Sequence, residues 1–237
     1  MHEVTLASLR AMREFARGDI FWQALWPPLL SFFGWCGVAW VLWLPMSGWL
    51  LANMPAWSWL DWLGPYLVHV VLALAFAPLI YATTLVLVAA FALPRMMAIV
   101  AARDYPEVSR HGAPGAVWAS IANTLMAGLI FVIGWLLSLP LLLVPGGLLV
   151  LPLLWSAWLN QRTFRFDVLA AHATADERDS LVVAERSRFW AAGFVSALAA
   201  HVPFVNVLAP AFAALLFTHL GLSALRQLRA KEGLWVM

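Results

Sequence analysis

The sequence predicts an all-α integral membrane protein with two long transmembrane helices, two helical hairpins partly inserted in the bilayer, and amphipathic helices on the cytoplasmic side. Three observations predict it. Of the 237 residues, 64% are hydrophobic and 11% charged, against about half and about a quarter in a soluble domain. Four stretches, 20–60, 62–94, 113–161 and 189–225, hold no Asp, Glu, Lys or Arg, and each exceeds the roughly 20 residues that cross a hydrocarbon core. All fourteen Lys and Arg lie in four segments flanking those stretches, and none in the turns 47–64, 139–147 and 202–209. By the positive-inside rule the basic segments and both ends of the sequence face the cytoplasm.

Helices rather than strands are required, because the apolar stretches lack the ten-residue alternation of a lipid-facing barrel and an open sheet leaves backbone groups unsatisfied in lipid. The whole of 1–237 reads as one membrane domain. Residues 1–19 form an interfacial amphipathic helix, with Arg10, Arg13 and Arg17 on one arc and Val4, Leu9, Ala11, Met12, Phe15 and Ala16 mostly opposite. Pro27 and Pro28 start the first membrane helix, and 20–60 takes in that helix and an outer turn whose Trp49, Trp57, Trp59 and Trp62 form an aromatic belt. The second membrane helix runs over 65–93 with a kink at Pro78, and a polar loop follows from Pro94 to Pro114.

Prolines shorten the later arms. The first hairpin covers 116–159, its second arm interrupted by Pro140, Pro145, Gly146, Gly147 and Pro152; the second covers 189–225, with arms of about 24 Å against a core of about 30 Å. Both enter from the cytoplasm and turn back within the bilayer or near its far face, full spanning being the alternative. Between them, Thr174 and Glu177 make a capping box that opens a cytoplasmic helix over 174–188.

The candidate chemistry is sparse. Exposed N–H groups at a helix start, with Arg17 and the Gly18 amide, make an anion site; the plainer reading is that Arg10, Arg13 and Arg17 hold anionic lipid headgroups. Asn206 caps a buried turn or lines a path. His69, His201, His219 and Asn123 read as hydrogen-bonded packing residues without metal-ligand spacing. Cys36 is the only cysteine and reads as a packed thiol. No hydrolase, metalloprotease or phosphate-loop motif is present, so no enzyme and no cofactor is expected. The basic residues are too dispersed for a nucleic-acid face. With no Asp or Glu inside any membrane segment, carboxylate-based proton coupling is disfavoured, and a passive anion route is the simpler mechanism. Small-residue faces such as Gly34 and Gly37 suit a homo-oligomer.

The run from His201 to Pro210, with Pro203, Asn206 and Pro210 at the motif positions, resembles the C-terminal signature of the CysZ-type sulfate permease family, which shares its domain with the etoposide-induced endoplasmic-reticulum proteins. The order of segments matches over nearly the whole chain. The resemblance implies two long membrane helices, two partly inserted hairpins, oligomeric assembly and permeation of sulfate. One stretch departs from the family, whose members usually carry an Arg-Pro-Gly-Leu-Arg-Arg loop before the first membrane helix. Here it reads Arg17-Gly18-Asp19-Ile20-Phe21-Trp22: the basic pair has become aromatic and Asp19 adds a repelling charge. The expectation is therefore a small anion, sulfate or a relative of it, and the rival is a non-transporting protein that binds lipid or a partner through its basic segments.

Overall fold

The computed structural model describes residues 2–55, 60–108, 116–202 and 205–233. Every regular element among them is helical, and no strand is present. Four helical stretches are long and apolar enough to cross a membrane: Gly18–Ala52, Trp62–Asp104, Trp118–Leu143 and Ala209–Lys231. The chain is an all-α integral membrane protein. It divides into two compact units, one of residues through Phe21 with those from Leu93 onward, the other Trp22–Ala92.

The helix α1, His2–Phe15, buries Val4, Ala7, Ala11 and Glu14, a stripe at spacings of three and four that lies on one helix face. That face packs against α9 and α8. The buried stripe thus joins Val4, two alanines and Glu14, while Leu9 and Met12 are exposed at 48% and 62%.

The second unit is built by α2, Gly18–Ala52, and α3, Leu60–Leu87. Pro27, Pro28 and Pro45 all lie inside α2, so the first two do not start a helix, as the sequence implied. Contacts run antiparallel. The Trp26 ring meets Phe91 at 6.5 Å, the Ser31 hydroxyl donates to the Ile80 carbonyl at 2.7 Å, the Trp35 indole N–H donates to Thr83 Oγ1 at 3.0 Å, and the Trp43 ring meets His69 at 5.6 Å. From the first of these pairs to the last the partner falls from 91 to 69 as the α2 residue rises from 26 to 43. The remaining surface of α2 is apolar and unpacked, with Trp40 at 87% exposure, a face that only lipid or more protein can cover.

After α3 comes a π turn, Val88–Ala92, and then α4, Leu93–Asp104. The helix was expected to stop at 93 with a loop from Pro94. It continues instead, because the π turn lies where Pro94 lacks an N–H and its ring crowds the carbonyl four residues back. Pro94 then occupies the first turn of α4, where proline is tolerated.

The first unit contains α5, Ala116–Ser138, a 3₁₀ turn Leu139–Leu143, α6, Gly147–His172, α7, Ala175–Ala184, α8, Arg186–Ala200, and α9, Ala209–Lys231. Gly146 at φ 86° makes the turn before α6, a left-handed conformation that glycine adopts without strain. A side chain at Gly134 would strike the Trp155 ring, so α5 and α6 close there. Pro152 does not shorten the second arm, as expected from the sequence: α6 runs through it for 26 residues, about 39 Å. The capping box forms as read, with the Glu177 N–H donating to Thr174 Oγ1 at 3.3 Å and the Thr174 N–H to Glu177 Oε2 at 2.8 Å. Its helix ends at Ala184 rather than 188.

The core gathers on α9, which is packed by α1, α4, α6 and α8. Phe217 is stacked between Phe164 at 6.0 Å and Phe189 at 6.3 Å. At 23 residues α9 is longer than the 16-residue arm expected from its apolar run. Burial by its neighbours, not apolarity alone, carries the helix through Arg226 and Arg229.

Candidate anion site

Arg17 and Gly18 stand where α1 gives way to α2. Arg17 Nε lies 3.7 Å from Glu14 Oε2 and 3.7 Å from Asp19 Oδ1, with 48% of its side chain exposed. Gly18 opens α2 with free space where a Cβ would sit. Of the amides there, Ile20 N–H donates to Asp19 Oδ1 at 3.0 Å and Phe21 N–H to the Arg17 carbonyl at 2.8 Å. Two carboxylates thus face the one guanidinium.

In the hairpin motif, Pro203 lies outside the described residues. Asn206 is exposed in the 3₁₀ turn Val205–Val207, and its N–H donates to the Val202 carbonyl at 3.1 Å. The cap position of α9 is Leu208, without a side-chain cap, and Pro210 occupies the first turn. Asn206 therefore does not cap α9; the proline pre-sets the turn instead. His201 is satisfied within its helix, Nδ1 lying 2.7 Å from the Ala197 carbonyl. Cys36, expected to be packed, is exposed.

His219 belongs to a charged cluster that sequence spacing did not bring together. It is 1% exposed, and the Tyr105 hydroxyl lies 3.2 Å from both its Nδ1 and its carbonyl. Both residues line a cavity of about 370 Å³ with Arg10, Asp104 and Arg226. Burial pushes the Tyr105 phenol above its usual range, against the pull of Arg10. Glu14, Asp104 and His219 bring ligand atoms within 4.8 Å of one another. Arg103, however, is hydrogen-bonded to Glu14 and donates to Asp104 Oδ1 at 2.9 Å. The cation of this cluster is the guanidinium. Arg226, 5.4 Å over the Tyr105 ring, is likewise paired, at 3.2 Å from Glu107.

A second basic group, on α6, has no such balance. Arg162 and Arg165 are one helical turn apart and half-buried. Arg162 lies 5.8 Å over the Trp158 ring and Arg165 5.6 Å over the Phe189 ring. Neither makes an ion pair with a described carboxylate. Arg162 Nε is buried without a protein partner, as is Gln161 Oε1 beside it. Burial first, then the Arg162 charge, holds Arg165 below its ordinary pKa. The nearest acid in sequence, Asp167, instead accepts from the Ser120 hydroxyl, and burial raises its pKa. The signal was present in the sequence as two arginines at i and i+3 with no acid three or four residues from either; there they served only as topology charges.

Four apolar helical stretches of membrane length define the class, an integral membrane protein. Residues 7–210 match the model of the family described as Sulfate transporter CysZ/Etoposide-induced protein 2.4, and the chain belongs to that family. It is a transporter family rather than an enzymatic one. No curated protein and no solved structure matches the chain.

Proposed function

We propose that the protein is a passive, channel-like permease for sulfate or a related small anion in a bacterial inner membrane, with its basic segments and both ends of this sequence on the cytoplasmic side. The observation that carries it is the absence of Asp and Glu from 20–60, 62–94 and 113–161, with Arg17, Arg95, Arg110 and Arg162 at the ends read as cytoplasmic. Negative charge inside a spanning segment repels an anion and supplies a proton relay; here the polar contacts between α2 and α3 are neutral, from Ser31, Trp35 and Thr83. Arg17 and Gly18 serve only as a weak steering point at the rim, because Glu14 and Asp19 offset much of the Arg17 charge. The family's description supports sulfate. Gly34 and Gly37 have open space beside them, which supports close packing of α2 against a second copy. The 116–159 and 189–225 segments act as hairpins held partly in the bilayer.

A second reading has its own observation. On α1, Leu9 and Met12 are exposed beside exposed Arg10 and Arg13, an arrangement that binds anionic lipid without any transport. Purified protein in liposomes, loaded with labelled sulfate outside, separates the two. Transport predicts uptake above empty liposomes in lipid mixtures with and without anionic lipid; no uptake in any mixture defeats it and leaves lipid binding.

A further inference from the structure

We infer that Arg162 and Arg165 together form a binding site for a tetrahedral oxyanion, sulfate or phosphate, free or carried on a lipid headgroup. Side chains three residues apart on a helix are neighbours, and like charges there repel. Half-burial strengthens that repulsion by lowering the local dielectric. Other buried or half-buried arginines carry counter-ions: Arg103 has Glu14 and Asp104, Arg188 has Glu185 at 2.7 Å, and Arg229 has Glu177 at 2.7 Å. Arg162 and Arg165 have rings instead. Each guanidinium lies over an aromatic ring, Arg162 over Trp158 and Arg165 over Phe189, and a neutral ring leaves the N–H donors for a ligand. Arg162 Nε already points an unsatisfied donor from a buried position.

A planar fork of donors fits an oxyanion two oxygens at a time, which a spherical halide cannot match. A doubly charged tetrahedral anion also neutralises both arginines at once. Asn123 reaches the same turn of α6 from α5, its Nδ2 donating to the Arg162 carbonyl at 3.5 Å, and Gly193 lets α8 close on Ala157 and Gln161. The pair is thus held between three helices of one unit. A role in permeation rests on the transport reading above; occupancy by an oxyanion does not.

The test uses the full chain, purified in neutral detergent. Sulfate binding is measured by calorimetry against chloride at equal ionic strength, and phosphatidylglycerol retention by native mass spectrometry. Saturable sulfate binding that chloride does not reproduce, weakened at least 10-fold by Arg162→Gln or Arg165→Gln, identifies a free-anion site. Sulfate binding too weak to saturate, with a retained phosphatidylglycerol that either variant loses, identifies a headgroup site. Where the glutamine variants do not fold, Arg165→Lys keeps the charge without the fork, and a similar loss of sulfate or lipid over chloride is expected. Wild-type protein that binds neither, or variants that bind as wild type does, overturns the inference. Liposomes that transport sulfate with an unchanged rate in Arg165→Gln retain the transport reading and overturn a role of the pair in permeation.

Discussion

Gly193 holds the tightest approach between α6 and α8, where a side chain would run into the backbone carbonyl of Ala157 and the Cβ of Gln161. At Gly134 the obstacle is the Trp155 ring, a side chain that has other rotamers. Overpacking costs about 1–3 kcal/mol, most where nothing can yield. Gly193→Ala is therefore expected to lower the melting temperature in detergent more than Gly134→Ala does; the reverse order contradicts this packing. A second residue-scale expectation concerns Glu177. Hydrogen bonding to Arg229 holds its carboxyl below the usual range, against the opposing effect of burial. A depressed carboxylate contributes stability above its unfolded pKa, about 4.3, and loses it as pH falls through the folded value. Glu177→Gln keeps an acceptor for the Thr174 cap but drops the charge. The stability gap from wild type, read by thermal melts from pH 7 to pH 3, should be full above about pH 5 and should shrink below about pH 4. A gap that is constant across that range excludes the ion pair as its source.

At the scale of elements, two caps separate what local sequence determines from what packing determines. Thr174 caps α7 through groups three residues apart, so the box was legible from the Thr-Ala-Asp-Glu run alone. Asn206 sits between prolines in a pattern that reads equally as a cap, yet α9 starts after Leu208 with Pro210 in its first turn. Thr174→Ala should cost about 1 kcal/mol, whereas Asn206→Leu, an exposed position without a cap, should stay within about 0.5 kcal/mol. Thermal melts of the two variants check this, and a larger loss at Asn206 would restore its capping role. The prolines mislead for a related reason. Pro27, Pro28, Pro94 and Pro152 read as boundaries because each removes one N–H, but flanking apolar residues and, before Pro94, a π turn keep the helix continuous. The reach of α9 through Arg229 was illegible because Glu177 and His172, which hold that arginine, lie more than 50 residues away. Arg162 and Arg165 posed the same difficulty in reverse, since missing counter-ions show only once all neighbours are in place.

At the scale of the whole molecule, composition alone made the membrane class legible, because carboxylate-free stretches of membrane length need no tertiary knowledge. Orientation rests on the basic segments and has a direct readout. In a Cys36→Ala background, single cysteines at Arg95, Arg186 and Arg226, all exposed, should resist an impermeant thiol reagent applied from outside, while a cysteine at Asn53 should react. External labelling at 95 or 186 would reverse the topology. Passive movement of an anion has its sharpest test in voltage. One elementary charge gains about 2.3 kcal/mol per 100 mV, so a divalent anion gains about 2.8 kcal/mol at about 60 mV, an accumulation of about 100-fold. Proteoliposomes clamped at that potential, inside positive and without a pH gradient, should concentrate labelled sulfate toward that ratio and release it when the potential is collapsed. Sulfate that follows an imposed proton gradient and ignores the potential would contradict the account.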